Sequence, residues 1–536
     1  MSYKSRVKRV QQSFGKRPDV EYYTGDMEHI RSYYETRVHS EPDRFYIDTI
    51  TWNDLDMDIV FKHINTGLST AGEQYLYYML HRPMTQPEYE HQQALIQLVS
   101  DETETRCKLQ QILCRIGRYR PVDLTGILNN QYFSPLWLAV YSFLALLFPL
   151  SLILSLLFGK SYLWLLLTSL IVNGLLHEYR THRCEREIQT VNYCVGLVQA
   201  LHHTQKMRHP ILDKHLANTY PHLAKLRSLL RIGPVLPTTQ NDITSMIMTV
   251  LLLDLIFFEL LKKRLAKHHA HFSATHEAIG QLDAAIAIAS WRQSMECWSQ
   301  PIIDFKAADA FLHAEAAGHP LLENPVANDV TLLRSLLITG ANASGKSTYL
   351  KAVILCALLA QTTCTAPCAS YHASNFRIYT SMAISDSILD GKSYYIAEIR
   401  SLKRILDAQS IKTPILCAVD EVLRGTNTIE RIAASTEVLK TLSTPHTLCL
   451  AATHDAELCE LVADAYELAH FQETITDSDI QFDYRIKPGK ATSRNAINLL
   501  RLMGFPDDMV QAAHSRADAY LHSGQWKEET SAGGPP

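Results

Sequence analysis

The sequence lacks several features that would settle its function at a glance. It has no surplus of positive charge, since 51 lysines and arginines face 55 aspartates and glutamates. No global basic field therefore pulls on phosphates, and a nucleic-acid site must be a local patch or arise on assembly. There is no CxxC pair among its 11 cysteines. The tightest spacing, Cys364 to Cys368, is joined by no second pair and no paired histidines, which excludes the usual zinc frameworks. Thiols scattered among apolar neighbours fit buried side chains in a reducing compartment. The basic start, MSYKSRVKRVQQSFGKR, is followed by no apolar run and is not a secretory signal. The chain also shows no internal repeat.

Charge is missing locally as well, and there the absence is informative. From Ser134 to Phe158 the stretch SPLWLAVYSFLALLFPLSLILSLLF carries no charge, and after Gly159 and Lys160 a second uncharged run reaches Leu176. A membrane span needs roughly 20 apolar residues and at least about 17. The first run exceeds this, and the second reaches it only with His177. Leucine-rich helices apolar on every face are unusual in water-soluble domains, where the other reading is a buried hairpin in a large core. Arg115, Arg118 and Arg120 precede the pair, and Arg180, Arg183 and Arg186 follow it, which puts both ends on the cytoplasmic side. Tyr132, Trp137 and Trp164 stand where interfacial aromatics belong. A third apolar segment, Ile243 to Leu261, has Asp254 in its middle and Glu259 near its end. A mid-bilayer carboxylate is costly, so this segment reads as buried, interfacial or re-entrant.

At 536 residues the chain predicts two or three domains. Residues before the hairpin are polar with helical periodicity, and a long helical pattern returns from Leu265 to about Met295. Between about Leu332 and Leu450, short apolar runs (LLRSLLI, ILCAV, TLCLAA) alternate with helical stretches, the rhythm of a parallel sheet covered by helices. The tail after Trp526 is polar and predicts disorder.

Three motifs carry chemistry. Gly340-Ala-Asn-Ala-Ser-Gly345-Lys346-Ser347 fits GxxxxGK[ST] between a strand and a helix. Its glycines let backbone N–H groups turn inward around a phosphate at a helix N-terminus, Lys346 reaches the β- and γ-phosphates, and Ser347 offers its hydroxyl to Mg²⁺. Pro414-Ile-Leu-Cys-Ala-Val419 is a strand candidate ending in Asp420 and Glu421. There an aspartate can hold the Mg²⁺ shell and a glutamate can polarise the attacking water. Leu448 to Thr453 is another strand, and His454 at its tip can contact the γ-phosphate or the water.

These motifs together resemble the ATPase domain of the MutS family of DNA mismatch repair proteins. TGANASGKSTYLKA (Thr339–Ala352) resembles its phosphate loop, with Ala341 and Ser344 in place of the usual proline and first paired glycine. DEVLRGTNTIERIAAS and AATHDAELCEL resemble its acidic-pair and histidine segments. ISDSILDGKSYYIAEIRSLKRIL resembles the loop that reaches the partner's nucleotide across a dimer, with Gly391 and Ser393 as contacts and Glu398 as a site-lining acid. The segment from Tyr484 to Leu521 resembles the dimer-stabilising end. More weakly, Ile47–Pro83 is similar to the start of the family's helical core, Ile279–Met295 to the helix leading into the ATPase, and GHPLLE to the approach to its first strand.

The resemblance implies ATP with Mg²⁺, held by Gly340, Asn342, Ser344, Gly345, Lys346, Ser347 and Thr348, with Asn328 beside the base. Ser347 and Asp420 would serve the metal, and Lys346, Glu421 and His454 the chemistry, completed in a homodimer by Ser393 of the other copy. Two departures stand out. Only about 46 residues precede the core-like segment, so the family's lesion-sensing domain is expected to be missing, and the apolar hairpin lies where the family carries its levers and DNA clamp. Pro325 also occupies the position of the adenine-stacking aromatic.

The expected fold is thus mixed: an all-α helical core with a transmembrane helical hairpin, followed by an α/β P-loop NTPase domain. The expected division is a basic segment (1–46), a core-like helical region (47–130), the hairpin (134–177), returning helices (178–300), the ATPase with its dimerisation segment (301–522) and a tail (523–536). The expected function is a dimeric ATPase coupled to DNA and tethered to the cytoplasmic membrane, ATPase inward. A membrane-anchored switch acting on a protein complex without DNA is the alternative. A transporter subunit is disfavoured because two spans make no conduit.

Overall fold

The computed structural model describes residues 3–18, 21–23, 25–118, 133–223, 226, 243–340, 344–382, 394–475, 480–490, 497, 500–501 and 504–523. The chain packs as two units. One comprises Met1–Tyr46, Asp58–Glu296 and Thr362–Cys364, and the other Ile47–Met57, Cys297–Gln361 and Thr365–Pro536.

The first unit is helical: α1 (Tyr3–Gln12), α2 (Asp26–Ser40), then, after α3 (Thr49–Asp54) of the other unit, α4 (Met57–Ile64), α5 (Thr70–Leu80), α6 (Gln86–Asp101), α7 (Thr103–Ile116), α8 (Pro135–Phe158), α9 (Leu163–Arg183), α10 (Glu185–Gln205), α11 (Pro210–Leu216), α12 (Ile243–Val250), α13 (Leu253–Lys267) and α14 (His269–Ser294). Its centre is α5, buried along its whole length, with Ser69 capping its N-terminus through the Gly72 N–H at 3.2 Å. Helix α14 crosses α5 at two glycines. A Cβ on Gly280 would stand 2.6 Å from the Ala71 carbonyl oxygen, and one on Gly72 would stand 2.2 Å from Asp283 Oδ2. That close approach lets the buried Asp283 accept from the Leu68 and Ser69 N–H groups at 3.0 and 2.8 Å and from the Ser69 hydroxyl at 2.6 Å. Gly280→Ala forces the two backbones apart and will destabilise this unit by about 1–3 kcal/mol. Thermal unfolding in detergent, followed by circular dichroism, checks it. An unchanged Tm would mean the crossing is looser than the distances require.

Helices α8 and α9 pack with the polarity of a water-soluble bundle reversed. Leu146, Ile153, Leu157, Trp164, Ile171 and Leu175 are exposed, while Ser151, Ser169 and Asn173 are buried. The third apolar segment is broken. Helix α12 ends at Val250, Leu252 takes a left-handed backbone (φ 51°), and α13 begins at Leu253. Asn173 Nδ2 donates to the Val250 carbonyl at 2.7 Å, satisfying a group the break releases. The carboxylates of the segment find partners beyond it: Asp254 with His177 at 2.6 Å, and Glu259 with Lys262 at 2.9 Å. Among the described residues one helix, Pro135–Phe158, is long and apolar enough to cross a membrane.

Among its described residues the second unit holds twelve strands and the helices between them. Strands β1 (Ile302–Asp304), β5 (Ser370–Ser374), β2 (Leu312–Ala317) and β3 (Asn328–Leu332) form a sheet in that order. A six-stranded sheet runs β12-β9-β4-β8-β7-β6, from β12 (Lys487–Pro488), β9 (Tyr466–His470), β4 (Ser335–Thr339), β8 (Thr447–Thr453), β7 (Ile415–Asp420) and β6 (Arg377–Ser381). All its pairings are parallel except β12 with β9. Strands β4, β7 and β8 are buried at every position, which is why they read as unbroken apolar runs. A hairpin of β10 (Glu473–Ile475) and β11 (Ile480–Phe482) follows β9. The helices are α15 (Lys346–Thr363), α16 (Tyr394–Ala408), α17 (Thr428–Leu442), α18 (Ala456–Leu461) and α19 (Asp507–Ser523).

Residues 47–57 pack in this unit. Asp54 Oδ2 accepts from the Thr380 hydroxyl at 2.7 Å and from the Met382 N–H at 3.0 Å, and Asp48 pairs with Arg404.

Candidate nucleotide site

The sheet order places the carboxyl ends of β4, β8 and β7 side by side, the edge where open α/β sheets gather their ligands. Thr339 of β4 is level with Thr453 of β8, and Asp420 of β7 with Ala452. Motifs more than a hundred residues apart therefore meet because their strands are neighbours.

The phosphate loop leaves β4 at Gly340 (φ 147°) and enters α15 after Gly345 (φ 102°), both in backbone regions that side chains rarely adopt. Lys346 is buried, and its Nζ donates to the Gly340 carbonyl at 2.7 Å, across the mouth of the loop. Ser347 Oγ donates to Asp420 Oδ2 at 2.5 Å, which brings the hydroxyl and carboxylate expected to share a metal into direct contact. The Ser344 hydroxyl is buried with no hydrogen-bond partner among the described residues. An orphaned donor in a glycine-flanked turn, beside a lysine and a helix N-terminus, fits a phosphate, and the Ser347–Asp420 pair fits a hard divalent cation. Asn342, Gly391 and Ser393 lie outside the described residues.

Glu421 takes a left-handed backbone (φ 59°), and its N–H donates to the Ala452 carbonyl at 2.9 Å, tying the tip of β7 to β8. Its carboxylate lies between Arg424 and His454. Arg424 Nε stands 2.6 Å from one oxygen, and His454 Nδ1 3.3 Å from the other. Glu398 is buried beneath this turn, where Oε1 accepts from the Arg424 N–H at 3.2 Å. Burial raises its pKa above the usual glutamate value, against the pull of backbone donors around Arg424. It props the turn after the acidic pair.

Beside the loop opens a cleft of about 350 Å³, lined by His319, Asn328, Gly345, Thr348, Tyr349, Phe471 and Tyr484 among others. That volume suits a small ligand. Asn328 and Thr348 both reach it. The Asn328 side chain also fixes its wall, with Nδ2 donating to the Tyr484 carbonyl at 3.0 Å and Oδ1 accepting from the Ile486 N–H at 2.9 Å.

Aromatic rings line this cleft from other parts of the chain. A Cβ on Gly345 would stand 3.1 Å from the Tyr484 ring, and Phe471 packs edge-on against Tyr349 at 5.8 Å. No sequence signal near the loop announces Tyr484; the β10–β11 hairpin carries it there. His319 is held neutral, its pKa pushed down to about 4 by burial and then by the nearby Lys351 cation. Its Nδ1 accepts from the Leu321 N–H at 3.3 Å, which leaves Nε2 as the protonated nitrogen.

A glycine-flanked turn between a buried parallel strand and a helix, with a serine of that helix meeting an aspartate from the strand two places along the sheet, has the form of a P-loop α/β domain. Residues 336–520 match the model of MutS domain V. The chain is similar to a DNA mismatch repair protein MutS 2 of Halobacterium salinarum (31% identity over 271 residues, 48% of this chain and 30% of that protein). It is also similar to a MutS of Natronomonas pharaonis (30% over 269 residues, 48% and 30%) and an MSH3 of Meyerozyma guilliermondii (29% over 282 residues, 48% and 28%). The likeness to the MutS family lies in the C-terminal half of the chain, where residues 336–520 match its domain V. The match spans under a third of the length of these curated relatives.

Proposed function

We propose that this chain binds and hydrolyses ATP with Mg²⁺ as a homodimeric MutS-type ATPase, coupled to DNA and attached to the cytoplasmic membrane with its ATPase domain inward. The contact between Ser347 and Asp420 at the N-terminus of α15 carries the nucleotide reading. The metal would supply charge neutralisation between the β- and γ-phosphates. Lys346 binds the same oxygens, Ser347 and Asp420 hold the cation, Glu421 polarises water and His454 contacts the transferred group or that water. Ser393 would complete the site from the second copy. The cleft holds the base, with Tyr484 as its stacking face.

Attachment through α8 and α9 is supported by the reversed polarity of the helical bundle, which hides serine, asparagine and paired charges and exposes leucine and isoleucine. The two helices span as a hairpin, and the paired charges of α13 lie against it.

Coupling to DNA is supported by what the named relatives do. Duplex or branched DNA is expected to stimulate Lys346-dependent hydrolysis and to be retained on filters, with retention falling steeply between low and moderate salt as phosphate contacts are lost. Hydrolysis that ignores every DNA, with no salt-sensitive retention, would instead favour a membrane switch acting on a protein complex. The balance of 51 basic against 55 acidic residues speaks for that second reading.

A further inference from the structure

Helix α17 begins just after the acidic pair, and its fourth residue, Arg431, reaches back to the tip of β8. Its Nε and Nη2 donate to the two oxygens of Asp455, at 3.0 and 2.7 Å. Both side chains are largely buried, 16% and 10% exposed. The fork is tight enough that hydrogen bonding to Asp455 raises the arginine pKa above its usual value. Asp455 follows His454 directly. Its Oδ1, already held by Arg431, stands 3.7 Å from His454 Nε2, while the other ring nitrogen faces Glu421 at 3.3 Å. Each imidazole nitrogen thus has its own carboxylate, and the outer one is fixed from behind by an arginine.

We infer that Arg431 is a positioning residue for hydrolysis: by clamping Asp455 it holds the His454 ring against Glu421. The inference rests on the reading of Glu421 and His454 as hydrolytic groups. The His454 side chain is 48% exposed, so packing alone does not choose its rotamer. A carboxylate gripped by a planar two-pronged donor cannot turn about its last bond, and the ring it faces inherits that order. The guanidinium also cancels the charge of Asp455, which would otherwise stand unpaired beside an incoming triphosphate. A simpler role is available, a pin between α17 and the start of α18 at Ala456, and the test must separate the two.

The test is steady-state ATP hydrolysis by the full-length detergent-solubilised protein, together with Tm and the affinity for a fluorescent ATP analogue. Arg431→Gln is expected to lower kcat about tenfold or more with KM, analogue affinity and Tm little changed, since misplacing a catalytic group costs rate rather than binding. Arg431→Lys, which keeps the charge and loses the fork, should retain the wild-type Tm yet recover only part of kcat. In a His454→Ala background, Arg431→Gln should have no further effect, because the residue acts through that ring. The same fractional loss with and without His454, or a fall in Tm and analogue affinity that tracks the fall in kcat, would reduce Arg431 to the pin. Wild-type protein without Lys346-dependent hydrolysis would overturn the ATPase reading and this inference together. Wild-type hydrolysis indifferent to Arg431 would overturn this inference alone.

Discussion

Lys346→Ala is expected to lower phosphate release from ATP by about two to three orders of magnitude, the usual cost of removing one group aimed at developing charge in a transition state. The lysine is buried, and its ammonium rests 2.7 Å from the Gly340 carbonyl at the mouth of the loop. It is therefore already placed where the β- and γ-phosphates would meet the glycine turn, and little reorganisation is needed on binding. Alanine leaves the loop backbone intact, so Tm should move far less than activity. Phosphate release by detergent-solubilised wild type and variant, with Mg²⁺ in excess, is the measurement. A variant that keeps most of the wild-type rate would show that hydrolysis in the preparation does not run through this loop.

Arginines on the outer face of α8 should have an effect of similar size on where the protein resides. Leu146 is 70% exposed and Ile153 51%, and both lie on the helix long enough to span. If that face meets lipid, each arginine near the middle of the span costs about 2.5–3.5 kcal/mol of insertion free energy. Leu146→Arg with Ile153→Arg should then move the chain from the carbonate-resistant membrane pellet to the soluble or aggregated fraction. If the helices instead pair with other protein in water, the wild-type chain will itself be released by carbonate. The double variant would then differ from it in association state rather than in membrane retention.

The parts of the site legible in the sequence are those made by consecutive residues. Gly340–Ser347, Asp420–Glu421 and Thr453–His454 each sit at the end of an apolar run, and burial of β4, β7 and β8 on both faces is what made those runs readable. What escaped notice is made by residues far apart. Tyr484 reaches Gly345 from a hairpin with no periodic signature. Arg431 looks like an ordinary helix-surface charge until Asp455 is found beside it. Asn328, read as a contact to the base, also spends its amide on the chain at Tyr484 and Ile486. The third apolar segment defeated periodicity for a physical reason. Its two helices meet at a left-handed Leu252, a conformation that leucine does not signal, and its carboxylates pair with His177 and Lys262 from outside or across the segment's end.

The short helix α3 has a consequence for how the molecule comes to exist. Thr51 and Asp54 complete the backbone and side-chain bonding of β6 over separations of 329 and 326 residues. They leave the ribosome early and wait, hydrated, while the other unit's long stretch from Asp58 to Glu296 is synthesised. The sheet that needs them appears last. Closure of the second unit is thus a late, long-range event, slow by the entropy of bringing such distant segments together. The C-terminal unit is consequently no detachable cassette. Released by cleavage before Cys297, it would leave β6 and Arg404 facing water where Asp54 and Asp48 belong.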